Sequence, residues 1–188
     1  MRLCEGRIAI VTGAGRGLGR SHALMLAGHG AKVVVNDLGS AASGIGEDAT
    51  PADEVVADIR AAGGEAVADH SDVATWAGAE GVVRKAIDTF GDVNVIINNA
   101  GILRDRMMVN MTEDEWDSVV RVHMKSTFAV SHHAANHWRM ISKQGGNPEA
   151  RIINTTSHSG LYCNIGQTNY AAAKAGIATF SIVAAREL

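Results

Sequence analysis

A strand that runs straight into spaced glycines leaves a chain few folds to choose from, and this one begins that way. Ile8-Ala9-Ile10-Val11-Thr12 leads into Gly13-Ala14-Gly15-Arg16-Gly17-Leu18-Gly19. A helical pattern of Ser21, Ala23, Leu24, Leu26 and Ala27 opens directly behind. Such a turn points the free N–H groups of the following helix, with the positive end of its dipole, at a bound anion. Gly13 supplies a φ that residues with a Cβ avoid, Gly17 lets a diphosphate approach the backbone, and Gly19 lets the helix pack close to the strand. Arg16 and Leu18 flank Gly17 and belong to the same expected cradle. The spacing is looser than G-x-G-x-x-G, so a plain strand-to-helix turn also fits, and the rest of the chain must decide.

Agreement comes from the second apolar run, Ala31-Lys32-Val33-Val34-Val35-Asn36-Asp37, whose carboxylate Asp37 lies 18 residues beyond Gly19. An acidic side chain about 20 residues past the glycines reaches the adenosine ribose hydroxyls. Thr-Gly-x-x-x-Gly-x-Gly in a βαβ unit resembles the cofactor signature of short-chain dehydrogenases/reductases, and the resemblance implies a nicotinamide dinucleotide at this turn. Asp37 favours NAD over NADP. A 2′-phosphate of about −1.5 to −2 charge, ~4 Å from a carboxylate at effective ε ~20, meets several kcal/mol of repulsion. Arg16 is the opposing feature, since a basic residue before Gly17 recurs in NADP-using relatives; it also suits a diphosphate or solvent.

Strand-like and helix-like segments alternate along the whole chain, which predicts an α/β fold: a Rossmann-type doubly wound parallel sheet in three layers, α/β/α. Strands are expected near 7–12, 32–36, 65–69, 93–98 and 151–156, and helices near 17–29, 52–62, 76–90, 113–142 and 168–188. With 188 residues, 46% of them hydrophobic, residues 1–188 read as a single dinucleotide-binding domain. Net charge is −3 with scattered Lys and Arg, so no basic face suits nucleic acid. No apolar run has the length of a membrane span, and Cys4 and Cys163 stand alone, as in a reducing, cytosolic setting. Between Leu38 and Pro51 runs a loop of Gly, Ser and Ala; it is expected either to fold over the adenosine end of a cofactor or to be a solvated insertion.

The family resemblance assigns further residues. Asp72 and Val73, after the third strand, are implied to meet the adenine ring; Asp72 alternatively caps the helix beginning near Thr75. Val93-Asn94-Val95-Ile96-Ile97 ends in Asn98-Asn99-Ala100-Gly101, the Asn-Asn-Ala-Gly tetrapeptide of the same family. There Asn98 is implied to be structural and Asn99 to lie against the cofactor, with Ala100 and Gly101 leaving it room. Val-Asn-Asp-Leu-Gly after the second strand, together with Gly-Ile-Leu-Arg-Asp-Arg at 101–106, is similar to the (3R)-hydroxyacyl-CoA dehydrogenase branch, the multifunctional-enzyme type 2 group and its bacterial relatives.

Ser157, at the end of the fifth strand, is followed after 13 residues by Tyr170, and Lys174 comes four later. Residues four apart share a helix face, which brings an ammonium to a phenol. A free phenol, with pKa about 10, is a poor base near neutrality; about 4 kcal/mol would make it a good one. One ammonium at ~5 Å and effective ε ~20 supplies about 3.3 kcal/mol of that. Tyr170 is thus expected to exchange the proton of a secondary alcohol, while the family pattern implies that Ser157 holds the reacting oxygen and Lys174 also binds the nicotinamide ribose. Many relatives carry an Asn where alignment puts His123, and the multifunctional-enzyme branch has His there; it serves either a proton relay or as a buried hydrogen-bonding residue.

Among the other histidines, His132, His133 and His137 lack a third ligand at zinc-site spacing, so no metal is expected; a polar helix face, at a subunit contact, is preferred. His158 and Cys163 either line a substrate pocket or are plain loop residues. Met107, Met108, Met111 and Trp116 suit either an acyl chain or core packing. The chain stops within the helix begun by Tyr170, whereas the proteins it resembles continue through further strands, so C-terminal strands are absent, the chain reads as a fragment or an incomplete enzyme, and the strand at 151–156 becomes an apolar edge. The expected partners are a small-molecule substrate such as an acyl-CoA and further copies of the chain in a homodimer or homotetramer. 3-Oxoacyl-carrier-protein reductase, steroid or alcohol dehydrogenase, and a non-catalytic dinucleotide-binding regulator are the competing functions.

Overall fold

Val33, Val34 and Val35 have no exposed surface, yet they serve two different cores. Val34 joins Ile8, Ile10 and Ile96 on one face of a sheet, while Val33 and Val35 join Val11 and Ile97 on the other. That alternation is the period of two of a strand, and near-continuous apolar runs are what a parallel sheet covered on both faces requires. The computed structural model describes residues 2–40, 43–46 and 49–188. Its parallel strands are β1 (Ile8–Thr12), β2 (Lys32–Asn36), β3 (Glu65–Asp69), β4 (Val95–Asn98) and β5 (Arg151–Asn154). They lie in the order β3-β2-β1-β4-β5, with Ile10 registered against Val34 on one side and Ile96 on the other.

Helices α1 (Gly17–Gly28) and α2 (Thr50–Ala61) contribute Ala23, Ala27, Val55 and Ile59 to one core. The opposite core holds α3 (Trp76–Phe90) and α5 (Ser126–Lys143). There the indole N–H of Trp138 on α5 donates to the Val93 carbonyl at 2.7 Å. This is the expected Rossmann-type doubly wound sheet. The order reverses between β1 and β4, and at such a reversal the C-terminal strand ends open into a crevice.

Several boundaries differ from expectation. β4 starts at Val95 and β5 stops at Asn154, and α2 opens at Thr50 because Pro51, in the first turn, needs no N–H partner there. The single helix expected over 113–142 is three pieces. α4 (Glu113–Val120) passes through a π turn at Arg121–Lys125 before α5 begins. Inside that turn Arg121 reaches out to Asp72 and His123 turns inward to Ile102. A short helix, α6 (Ser159–Tyr162), precedes the long α7 (Thr168–Glu187). β5 is the edge of the described sheet, and Ile153 on it is half-exposed.

Candidate active site

The glycine turn is shaped by close approaches. Gly13 and Gly17 have φ of +62° and +54°, the left-handed region open to glycine. A Cβ on Gly13 would lie 2.8 Å from Ala100 Cα, one on Gly19 would overlap the Gly13 carbonyl, and one on Gly17 would meet no protein atom. Gly17 therefore faces open space at the start of α1, where the helix leaves N–H groups unpaired. Gly15, which the sequence reading passed over, is equally constrained: a Cβ there would stand 2.9 Å from the Asp37 carboxylate.

Asp37 is half-buried at the end of β2. Its Oδ2 accepts from the Gly15 N–H and its Oδ1 from the Gly39 N–H, both at 2.7 Å. Asp72 Oδ1 accepts from the Ala74 N–H at 2.9 Å, and Oδ2 pairs with Arg121 at 3.0 Å. The cap of α3 is Thr75, whose Oγ1 accepts from Gly78, so that alternative for Asp72 is not used. Asn98 binds Asn154 and Ser131, knitting β4 to β5 and α5. Asn99 sends its amide to the Thr12 and Gly13 carbonyls at 3.1 and 3.0 Å.

Gly13, Gly17, Asp37, Asp72 and Asn99 border one crevice of about 660 Å³, a normal size for a ligand site. Every expected cofactor-binding or catalytic position contributes to its wall except Gly19 and Ser157. Ser40 and Gly44 of the loop after β2 also line it, and a Cβ on Gly44 would meet the Ile102 side chain at 2.9 Å. Within that loop Ala41, Ala42, Glu47 and Asp48 lie outside the described residues.

Tyr170 and Lys174 share a face of α7, with the Lys174 Nζ 5.7 Å from the Tyr170 ring centre. Lys174 is buried, which lowers its pKa to about 8, and its Nζ donates to the Thr155 carbonyl at 2.6 Å. Ser157 is half-buried on the turn after β5, where its Oγ accepts from the Ser159 N–H at 3.2 Å. Its own hydroxyl proton is left to donate. The His123 ring stands edge-on to Tyr170 with centres 5.2 Å apart. Its Nε2 lies 2.9 Å from the Ile102 carbonyl oxygen, and burial, reinforced by the charge of Lys174, holds its pKa down at about 4.

Three buried polar atoms bordering this crevice lack a protein partner: His123 Nδ1, Arg104 Nε and Ser118 Oγ. Orphans grouped around one cavity mark a place where a ligand or water supplies the missing bonds. Ser118 carried no motif that sequence reading detects, and Arg104 entered that reading only within the Gly-Ile-Leu-Arg-Asp-Arg run, without a role of its own. Asn169 and Thr155, which act through backbone carbonyls, carried no such motif. His158 and Cys163 are exposed and do not border the crevice, and Met107 and Met108 are exposed rather than packed in the core. Among the described residues no three His, Cys, Asp or Glu side chains gather as a metal site. His137 pairs with Asp92, His132 with Asn136, and His133 lies against Trp76.

The family model described as short chain dehydrogenase matches residues 7–188. Mouse peroxisomal multifunctional enzyme type 2 is 48% identical over 173 residues, covering 92% of this chain and 22% of that protein. Hydroxyacyl-CoA dehydrogenase ChsB1 of Mycobacterium tuberculosis is 44% identical over 186 residues, covering 98% of this chain and 57% of that protein. The crystal structure of a short chain dehydrogenase from Mycobacterium avium superimposes with a TM-score of 0.92 at 53% identity, covering 98% of this chain and 64% of the other. The chain therefore spans well under two thirds of the length of these curated relatives. With the glycine turn, the Asn-Asn-Ala-Gly strand end and the Tyr170–Lys174 pair on one crevice, the chain belongs to the short-chain dehydrogenase family, whose cofactor is a nicotinamide dinucleotide.

Proposed function

We propose that this chain carries the active site of an NAD-dependent oxidoreductase that interconverts a secondary alcohol and a ketone, with a 3-hydroxyacyl-CoA as substrate. The observation that carries the reading is the placement of Tyr170 and Lys174 on the wall of the crevice that also holds the glycine turn. Gly13, Arg16, Gly17 and Leu18 would hold the diphosphate, Asp37 the adenosine ribose, and Asp72 and Val73 the adenine. Asn99, Ala100, Gly101 and Lys174 would flank the nicotinamide half. A nicotinamide held there would supply the hydride chemistry at the carbinol carbon in either direction.

The chain's own residues handle the proton. Tyr170 takes it from the alcohol and returns it to the alkoxide in reduction, while Ser157 donates its free hydroxyl proton to the reacting oxygen. The Lys174 ammonium, at 5.7 Å from the ring centre and effective ε ~20, stabilises a phenolate by about 3 kcal/mol. His123 Nδ1, which has no protein partner, is placed to hold a water in the path by which that proton reaches solvent.

Asp37 supports NAD rather than NADP, since its half-buried carboxylate is fixed by two backbone N–H groups where a 2′-phosphate would have to approach. The acyl-CoA assignment rests on the likeness to ChsB1 and the multifunctional enzymes. Exposed Met107 and Met108, on the loop that runs on from Arg104, are apolar surface suited to an acyl chain. Pairing into a homodimer or homotetramer through α5 and α7 would cover Phe128, Ile182 and Val183, all exposed. The free thiols Cys4 and Cys163 suit a reducing compartment.

The decisive experiment follows NADH absorbance with 3-hydroxyacyl-CoA, steroid and simple alcohol substrates, in parent and Tyr170→Phe proteins. Turnover with the acyl-CoA is expected, lost in Tyr170→Phe while NADH still binds. A variant retaining a tenth of the parent rate would remove Tyr170 from its role, and a higher kcat/KM with NADP would reverse the cofactor assignment.

A further inference from the structure

Asn169 has no exposed surface, yet every arm of its side chain is engaged on a different part of the site. Nδ2 donates to the Arg104 carbonyl at 3.1 Å and to the Glu115 carbonyl at 2.9 Å. Oδ1 accepts from the Tyr170 N–H at 2.7 Å. A side-chain amide offers two donors and one acceptor oxygen, and here they go to the loop after β4, to α4 and to the first turn of α7. The residue before that helix, Gln167, gives it no side-chain cap. Asn169 thus satisfies a backbone donor that a helix start otherwise leaves open.

The two carbonyls it grips lead to His123 from both directions. Arg104 lies two residues after Ile102, whose backbone binds the His123 ring, and Glu115 lies on the helix that runs into the π turn carrying His123. The other side-chain ties between this loop and its neighbours, Arg106 to Glu115 and Gln167 to Asp105, are exposed to water, and one backbone bond joins the Arg106 N–H to the Gly166 carbonyl at 2.8 Å. The buried amide closes the circuit from Tyr170 through Arg104, Ile102 and His123 back to the Tyr170 ring.

We propose that Asn169 is a positioning residue for the reaction: its amide fixes the Tyr170 phenol relative to His123 by locking α7 to the loop after β4 and to α4. This rests on the oxidoreductase reading above. Asn169→Ala removes all three bonds. Asn169→Ser keeps a small polar side chain in a helix that must still fold, while losing the reach to both carbonyls.

The test reads kcat per NADH-binding site, with sites counted by fluorescence titration, so that loss of folded protein does not register. Both variants should lose on the order of 10- to 100-fold in kcat, the scale of a misplaced reacting group, with NADH affinity unchanged within about twofold. A second readout needs no turnover. The chain has two tyrosines, so in a Tyr162→Phe background the ultraviolet phenolate titration of the NAD complex reports Tyr170, and it should move when Asn169 is replaced. If the parent turns over no alcohol, the function reading falls and this titration still decides the role of Asn169. Unchanged kcat per site with an unchanged titration would overturn the proposal. So would failure of both variants to fold, which would assign the amide to stability alone.

Discussion

Replacing His123 with Asn isolates what it costs to keep an imidazole dry. The native ring holds its pKa at about 4, against an ordinary 6.5, because burial and then the neighbouring Lys174 charge disfavour the protonated form. As pH falls through the ordinary value, the unfolded chain binds a proton at this position while the native ring does not. Stability therefore falls with pH in that window, and the loss levels off only once the native ring also protonates. At ~1.36 kcal/mol per unit, passing from pH 7 to about pH 4.5 removes about 2 kcal/mol from the parent protein. The His123→Asn variant has no titrating ring there and keeps that increment. Carboxylates titrate alike in both proteins and cancel in the difference. Urea unfolding at the two pH values, followed by tryptophan fluorescence with buried Trp138 as a reporter, gives the stability gap between the proteins. That gap should narrow by about 2 kcal/mol on acidification with equal m values. The same gap at both pH values would refute a buried, neutral ring beside Tyr170.

Two further substitutions probe the strand ends. Thr12→Val keeps the shape but removes the buried hydroxyl oxygen that accepts from the Asn99 and Ala100 N–H groups, each at 3.0 Å. Leaving both donors unsatisfied should cost about 2–4 kcal/mol in urea unfolding, and a loss below about 1 kcal/mol would show that water replaces the hydroxyl. Gly101→Ala places a Cβ into the His123 ring, 3.1 Å from Nδ1 and closer still to Cε1. The buried ring must shift, so NADH affinity should drop at least about tenfold by fluorescence titration, and parent-like binding would refute the packing argument.

What sequence reading captured and what it missed divide along a physical line. Features encoded by local pattern were legible. The all-buried β1 showed as an unbroken apolar run, the doubly wound order followed from strand–helix alternation, and the Tyr170–Lys174 pair followed from helical spacing. The π turn was not legible, because residues 113–142 carry no Gly or Pro to break a helical pattern. The interruption coincides with bonds from Arg121 to Asp72 and from His123 to Ile102, residues distant in the chain. Asn169 was invisible for the same reason: its partners are two carbonyls 65 and 54 residues away, and any residue type can present a carbonyl. Asn99, expected against the cofactor, spends its amide on the Thr12 and Gly13 carbonyls.

That last case belongs to a wider rule of this molecule. Where a parallel sheet reverses its order, adjacent strands part, and the final backbone groups of each lose their ladder partners just where a ligand must enter. Side chains able to stand in for a peptide group are found at those ends. Asn36 donates from β2 to Asp69 and the Ser71 carbonyl, Asn98 joins β4 to Asn154 on β5, and Asn154 passes on to Ser181 of α7. Asn99 donates twice to Thr12 across the parting of β1 and β4, its backbone N–H to the Thr12 hydroxyl and its side-chain amide to the Thr12 carbonyl. At the order reversal the Thr12 hydroxyl and the Asn99 amide stand in for ladder bonds, while Asn36 and Asn98 reinforce ladders that run on past them through the Asp37 and Thr155 N–H groups, so the opening stays rigid without being filled. The residues that hold the room open overlap at Asn99 with those proposed to meet the dinucleotide, and the rest, Thr12 among them, serve the frame alone. A variant of the second kind, such as Thr12→Val, should lower stability first and binding only as a consequence.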